Sequence, residues 1–216
     1  MGAGAYRLCG AGRVRGRLHV EVTLARRGPN WECAASPEHR VFFALQPDAE
    51  AAARIAGLAE DLRRRHGLKG RPTPAPRLHL SLNFVGTFRG PPTRAVMEKA
   101  ATLADKVSAA PFRVTLNQVQ SWKGDPHPLV LLGDEGVIGV ELLHGALHRA
   151  LAAGTMAPRR QPEFWPHVSL LRDKAEAPRQ FVEPVSWMVR EFVLLDSVQG
   201  EGRHEVLGRW PLLKQA

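Results

Sequence analysis

Apolar and polar residues follow two different periods along the chain, and the alternation of these periods predicts its secondary structure. Seven segments have the composition or the two-residue alternation of strands: residues 41–45, 77–85, 112–120, 129–132, 165–171, 187–197 and 204–207. Between them, apolar residues recur at helical spacing in three stretches: Ile55, Leu58, Ala59 and Leu62; Val96, Ala100, Leu103 and Val107; and Val140, Leu143, Leu147 and Leu151. The order of these elements favours an α+β fold with antiparallel sheets over regular βαβ winding.

Proline and glycine predict where the helices begin and end. Pro47 is expected in the first turn of the first helix, where its missing N–H group costs no hydrogen bond, and Gly67 is expected near the end of that helix. Pro91 and Pro92 open the second helix, which closes before Pro111.

The first 38 residues differ from the rest of the chain. They contain six Arg and six Gly and show no helical period. Arg13, Arg15 and Arg17 interrupt every apolar run that a secretory signal would need. We therefore expect a poorly ordered N-terminal extension over residues 1–38 and a single domain over residues 39–216.

Two of the predicted strands carry the same short motif of histidine, apolar residue, serine and apolar residue. The motif lies within LHLSL at residues 78–82 and within PHVSL at residues 166–170. Because side chains alternate between the two faces of a strand, each histidine shares a face with the serine two positions later. One copy would be weak evidence, since a histidine among apolar residues is usually a satisfied core or boundary residue. Two copies indicate two halves that face one another across a cleft.

Paired imidazole and hydroxyl groups suit the hydrolysis of a phosphodiester. Without a metal ion, this reaction needs a base that activates water and an acid that protonates the departing oxygen. The ordinary imidazole pKa of about 6.5 allows one histidine to be neutral and the other protonated near neutral pH. The sequence therefore predicts His79 and His167 as an acid–base pair, with Ser81 and Ser169 as donors to the phosphate oxygens.

Charge and cysteine content narrow the class of protein. The net charge of +9, from 30 Lys and Arg against 21 Asp and Glu, favours RNA, DNA or a free nucleotide as partner. An Arg-rich composition alone is the alternative explanation, since only six of the basic residues are Lys. Cys9 and Cys33 are the only cysteines, which indicates a reducing compartment and predicts a cytoplasmic protein. No run of residues approaches the roughly 18 apolar residues of a membrane span.

Around the two motifs the chain resembles the two-histidine phosphoesterase superfamily. It is most similar to the bacterial and archaeal RNA 2',3'-cyclic phosphodiesterases of that superfamily, also called 2'-5' RNA ligase-like proteins. The resemblance covers roughly residues 40–211. It rests on RVFFAL at residues 40–45, HLSLNFVG at residues 79–86 and PHVSLLRD at residues 166–173.

This resemblance implies a bilobal α+β fold of two pseudo-symmetric halves, with antiparallel sheets facing a central cleft and helices on the outside. It implies no metal ion or other cofactor, and we expect a monomer. The implied reaction opens a 2',3'-cyclic phosphate at an RNA end to a 2'-phosphate. By motif position, His79 would donate a proton to the leaving O3' and His167 would accept the proton of water. Arg172 would bind phosphate, because a guanidinium group can do so with two hydrogen bonds.

Other functions are compatible with the same residues. One is a 2'-5' RNA ligase or a phosphodiesterase for 2',5'-linked oligonucleotides, and another is a catalytically silent RNA-binding module. The intact histidine and serine of both motifs argue against the silent module. His144 and His148 have helical spacing, but the Glu of a metalloprotease motif and a third ligand are missing, so a zinc site is not expected.

A few further positions bear on substrate binding. Ser81 and Ser169 stand where the family more often has threonine, which preserves the hydroxyl group. His204 lies in a segment where the family tends to place tyrosine. For Trp122, Phe164 and Trp165, stacking on RNA bases is possible in principle, but core packing is the favoured interpretation.

Overall fold

The computed structural model describes residues 36–157 and 163–213. Residues 1–35, which make up most of the predicted extension, lie outside the described residues. Within the described residues there are eight strands: β1 (Glu38–Leu45), β2 (Leu80–Arg89), β3 (Phe112–Ser121), β4 (His127–Leu132), β5 (His167–Asp173), β6 (Gln180–Val189), β7 (Glu191–Val198) and β8 (Arg203–Pro211). Three α-helices accompany them: α1 (Ala49–Arg65), α2 (Arg94–Ala104) and α3 (Ile138–Ala153).

The eight strands form one antiparallel sheet in the order β6-β3-β4-β5-β2-β1-β7-β8. At its centre, β2 and β5 share a single residue pair, Leu80 with Val168. The sheet therefore consists of two four-stranded halves: the first half contains β2, β1, β7 and β8, and the second half contains β5, β4, β3 and β6. The predicted α+β class is confirmed, and the two predicted antiparallel sheets are the halves of one sheet.

The helices hold the two halves together, because they pack across the weak central joint. Helix α1 follows a strand of the first half but packs against β5 and β6 of the second half. Helix α3 follows a strand of the second half and packs against both β2 and β3, while α2 packs against α3 and β8. Their buried apolar residues and the inward-facing residues of both halves form one hydrophobic core. No helix in the described part of the chain is long and apolar enough to cross a membrane.

Local sequence explains where the helices begin. The side chain of Asp48 accepts a hydrogen bond from the Ala51 backbone N–H at 2.9 Å and caps α1, which satisfies one of the free donors at a helix start. Thr93 caps α2 in the same way, through the Val96 N–H. The prediction that Pro47 lies in the first turn of α1 is wrong. Pro47 precedes the capping residue Asp48, and the helix begins at Ala49.

Two strand predictions need correction. Residues 187–197 are not one strand: β6 ends at Val189 and β7 begins at Glu191, and these strands belong to different halves of the sheet. The apolar run continues from β6 into β7, so the sequence pattern does not show where one strand ends and the other begins. Residues 77–85 are also not wholly strand, because a 3-10 turn occupies Ala75–Arg77 and the ladder begins at Leu80. His79 therefore lies immediately before β2.

Candidate active site

The two predicted motifs meet at the central joint of the sheet. Leu80 and Val168, the apolar residues that follow the two histidines, are opposite one another and fully buried on the helix side. Alternation of side chains places the flanking residues on the other, open face, which we call the cleft face. An antiparallel register with this pair puts His79 across from Ser169, and His167 across from Ser81. The two predicted imidazoles and the two predicted hydroxyls therefore lie next to one another on the cleft face, each histidine opposite the serine of the other motif.

Both imidazoles are oriented by the same local hydrogen bond. His79 Nδ1 lies 2.8 Å from the carbonyl oxygen of Arg77, and His167 Nδ1 lies 2.7 Å from the carbonyl oxygen of Trp165. A carbonyl oxygen can only accept, so Nδ1–H is the donor in each ring. This leaves Nε2 as the nitrogen that gains or loses a proton on the cleft face. The two neutral imidazoles therefore have the same tautomer, with the proton on Nδ1.

A β-bulge places Arg172 on the cleft face. Arg172 lies five positions after His167, and an odd spacing would turn its side chain towards the core in a regular strand. In β5, however, Leu129 is paired with Leu171 and Val130 with Ser169, so one extra residue, Leu170, is inserted. Leu170 and Leu171 are both buried and Arg172 is exposed. The bulge thus returns Arg172 to the face that His167 and Ser169 occupy.

The first half contains the matching irregularity but a different residue. Phe42 is paired with Phe84 and Ala44 with Ser81, so two consecutive residues of β2 are opposite one residue of β1. Phe84 follows His79 by five positions, as Arg172 follows His167, and it is 52% exposed. Of these two equivalent positions, only the one in the second half carries a positive charge.

His79 lies in the more enclosed setting, beside a third histidine. Its ring centroid is 4.8 Å from that of His204 on β8 and 5.1 Å from that of Phe42. Burial lowers the pKa of His79, and the charges of His167 and Arg77 lower it further, while the hydrogen bond to the Arg77 carbonyl opposes the shift. Burial and the neighbouring charges of His79 and Arg77 lower the pKa of His204 to about 4. His204 is therefore neutral near neutral pH.

His167 lies in a more open setting, against an indole ring. Its centroid is 4.4 Å from that of Trp122, which immediately follows β3. Burial lowers the pKa of His167, and the hydrogen bond to the Trp165 carbonyl opposes this shift. Trp122 was not among the predicted site residues, and its contact with His167 identifies it as part of the site.

An aspartate at the end of β5 ties a neighbouring loop to the site. Asp173 accepts hydrogen bonds from the backbone N–H groups of Lys69, Gly70 and Ala175. These bonds lower the pKa of its carboxyl group. A Cβ atom at Gly70 would lie 2.0 Å from the Arg172 carbonyl oxygen, so the loop passes directly against the backbone of β5. Asp173 thus holds the strand end that carries Arg172.

His144, from the histidine pair on helix α3, has a role in packing. His144 is buried, donates from Nδ1 to the Leu82 carbonyl oxygen at 3.0 Å and stacks on Phe164 at a centroid distance of 3.7 Å. Phe164 therefore packs, as expected. Among residues 36–157 and 163–213, no group of three or more His, Cys, Asp or Glu is arranged to hold a metal ion.

Comparison with known proteins shows the family of the chain. Residues 38–201 match the family model described as the 2'-5' RNA ligase superfamily. The chain belongs to the 2'-5' RNA ligase superfamily. A curated member, the RNA 2',3'-cyclic phosphodiesterase of Escherichia coli (strain K12), is 32% identical over 188 residues, which span 82% of this chain and 98% of that protein.

Solved structures at 26–28% identity share the fold. Escherichia coli LigT in its apo form aligns with a TM-score of 0.66 at 28% identity, covering 83% of this chain and all of that one. The same protein complexed with 3'-AMP aligns with a TM-score of 0.66 at 28% identity, over 82% of this chain and 99% of that one. The protein TT0787 of Thermus thermophilus aligns with a TM-score of 0.61 at 26% identity, over 80% of this chain and 97% of that one. The alignments cover nearly the whole of each relative.

Proposed function

We propose that this superfamily member hydrolyses the 2',3'-cyclic phosphate at an RNA end to a 2'-phosphate, by metal-independent acid–base catalysis with His79 and His167. The observation that supports this most directly is the pair of imidazoles on either side of the central joint, both donating from Nδ1 and both presenting Nε2 to the cleft face. The activity named for the Escherichia coli relative supports the choice of substrate.

The reaction requires one proton transfer at each imidazole. His167 Nε2 takes a proton from water as the water oxygen forms a bond to phosphorus. The bond from phosphorus to O3' breaks, and O3' takes a proton from His79 Nε2. The product has a 2'-phosphate and a 3'-hydroxyl group, and exchange of protons with solvent returns both imidazoles to their starting states.

The surroundings of the two rings support this assignment of acid and base. A general base needs access to water, and His167 lies in the more open setting beside Trp122. His79 is enclosed by Phe42 and His204, which suits a group that contacts only the leaving oxygen. Burial and neighbouring positive charge lower the pKa of His79, and a bound phosphate anion offsets both effects by favouring its protonated form.

The serines and Arg172 would hold the phosphate between the imidazoles. Ser81 and Ser169 offer hydroxyl donors from opposite strands, and Arg172 offers a permanent positive charge on the same face. Charge that develops on the non-bridging oxygens is thereby met by groups that are already in place. The cytoplasmic location and the monomeric state stay predictions from the sequence.

A product assay tests the proposal. RNA that ends in a 2',3'-cyclic phosphate is incubated with the protein and a metal chelator, and the released end is identified as a 2'- or 3'-phosphate. We expect a 2'-phosphate, and we expect His79→Ala and His167→Ala each to lower kcat by about 10²- to 10⁴-fold. His148→Ala, on helix α3, is the matched histidine control and retains activity.

The same assay separates the alternatives. Adding RNA with a 5'-hydroxyl end tests for a 2'-5' linkage, which a ligase would form in place of the free 2'-phosphate. Full turnover after loss of either motif histidine, or loss of turnover in chelator, would contradict the proposed mechanism. Binding of RNA without any turnover would identify a silent RNA-binding module.

A further inference from the structure

A groove of about 440 Å³ lies beside His167 in the second half of the sheet. Its floor consists of Gln118 and Gln120 from β3 and Leu132 from β4, and Trp165 forms part of one wall. Four charged residues also line the groove: Asp134, Glu141, Glu163 and Arg179.

The sheet register makes this groove continuous with the candidate catalytic site. Gln118 is paired with Leu132, which is paired with His167. Residues directly opposite one another in an antiparallel sheet share a face, so Gln118 lies on the same face as His167. Gln120 is related to Ser169 in the same way, through Val130. Two strand spacings, about 10 Å, separate each glutamine from its catalytic counterpart, and a ribose with its base spans this gap.

The groove offers polar groups that the protein itself does not use. Gln118 is only 8% exposed. Within the described residues, no side-chain hydrogen bond is formed by Gln118 or Gln120. Both side chains line the groove, so a ligand there can pair with amide groups that have no partner among the described residues.

Trp165 offers an apolar surface at the same place. Its side chain is 59% exposed, although the two flanking residues, Phe164 and Pro166, are half-buried and buried. The expectation that Trp165 packs in the core is therefore wrong. An exposed indole beside unpaired amides is typical of a surface that binds a flat ligand with polar edges.

The charges of the groove indicate which part of a nucleotide it fits. Three carboxylates, from Asp134, Glu141 and Glu163, outnumber the single guanidinium of Arg179. This excess of negative charge disfavours a second phosphate group. Carboxylate oxygens accept hydrogen bonds from exocyclic amino groups, such as those of adenine and cytosine. A nucleobase combines such donors with an uncharged ring that stacks on an aromatic side chain.

We infer that this groove binds the nucleobase of the nucleotide that carries the cyclic phosphate, with Trp165 against the face of the base and Gln118 and Gln120 at its edge. This inference rests on the proposed function, because it places the phosphate between His79 and His167. It assigns the groove a preference for adenine, guanine and cytosine over uracil, since uracil has no exocyclic amino group.

Turnover of small cyclic phosphates tests the inference. The substrates are the 2',3'-cyclic phosphates of adenosine, cytidine and uridine, and the 2,3-cyclic phosphate of methyl riboside, which has no base. We expect kcat/KM to be at least about tenfold lower without the base, as for the loss of one stacked base. Trp165→Ala and Gln120→Val should bring the adenosine and base-free values closer together. Gln46→Leu, at the end of β1 in the first half, is the matched glutamine control and leaves their ratio unchanged.

A binding measurement keeps the inference testable without catalysis. Calorimetric titration compares adenosine 2'-phosphate with methyl riboside 2-phosphate, and the base should tighten binding in the unaltered protein but much less in Trp165→Ala. Equal affinity and equal turnover with and without the base would overturn the inference while leaving the proposed function intact. A base-dependent affinity without turnover of any cyclic phosphate would instead retain the groove and overturn the proposed function.

Discussion

Each half of the sheet has four antiparallel strands and carries the same motif at the central joint, but the cleft faces of the two halves differ. In the first half, Phe42, Ala44, Val193 and Leu195 pack together and fill the floor. In the second half, the position that corresponds to Val193 is taken by Gln120, because Val193 is paired with Ala44 as Gln120 is paired with Val130. The floor there contains amide groups as well as the apolar Val130 and Leu132, and the groove beside it is open.

This difference changes the environment of two otherwise matched imidazoles. Both donate from Nδ1 to the carbonyl oxygen of the residue two positions earlier, so the backbone orients the two rings in the same way. His79 is enclosed by aromatic rings, whereas His167 borders an open groove. Two similar motifs thus present two histidines in the same local orientation, while residues on neighbouring strands give the two rings different surroundings.

The largest effect should come from changing the leaving atom of the substrate. A cyclic phosphate with sulfur in place of O3' has a leaving group that needs little protonation. We expect His79→Ala to lose about 10²- to 10⁴-fold in kcat on the oxygen substrate and far less on the sulfur substrate, whereas His167→Ala loses activity on both. Single-turnover rates on the two substrates measure this. Rescue of His167→Ala instead would reverse the acid and base assignment.

Removing the charge at one of the two bulges should have the next largest effect. Arg172→Ala is expected to raise KM by about 10- to 100-fold, since a charge-assisted hydrogen bond contributes roughly 1.5–3 kcal/mol. The free energy of unfolding should hardly change, because the side chain is exposed. Arg172→Lys should recover only part of this loss, because lysine keeps the positive charge but cannot form the bidentate hydrogen bonds of a guanidinium group. An equal loss in Arg94→Ala, on the outer helix α2, would show a general charge effect instead.

The pH profile should report the enclosure of the two rings. In kcat/KM, the acidic limb follows the pKa of the base and the alkaline limb follows the pKa of the acid. Burial lowers the pKa of both His167 and His79, so both limbs should lie on the acid side of those expected for ordinary imidazoles. His204→Ala admits water beside His79 and should raise its pKa, which moves the alkaline limb to higher pH. A movement of the acidic limb alone would assign His79 as the base.

The smallest effect is expected at the end of β5. Asp173→Ala removes the acceptor of the Lys69 and Gly70 N–H groups, so the loop should loosen and the melting temperature should fall modestly. The pKa of Asp173 is lowered in the fold, so its contribution is fully present above the ordinary aspartate pKa and is lost as the pH falls through the lowered value. Melting curves of variant and unaltered protein should therefore converge at low pH. A constant difference at all pH values would contradict this origin.

Features that depend on local backbone geometry could be predicted from the sequence alone. Strand and helix periods predicted seven strand segments and three helices. The two-residue period placed His79 with Ser81, and His167 with Ser169, on one face, because alternation needs no knowledge of the partner strand. The apolar run at residues 187–197 predicts one strand where the structure has two, because a period does not reveal which strand is paired.

The contacts between these elements depend on the tertiary fold and could not be predicted from local patterns. The pair of Leu80 with Val168 joins the halves, a bulge returns Arg172 to the cleft face, and a strand far along the chain brings His204 to His79. Asp173 and Gln120 likewise acquire their surroundings from strands and loops that are distant in sequence. Register and contact between strands are set by the packing of the whole core, so no short window of residues contains them.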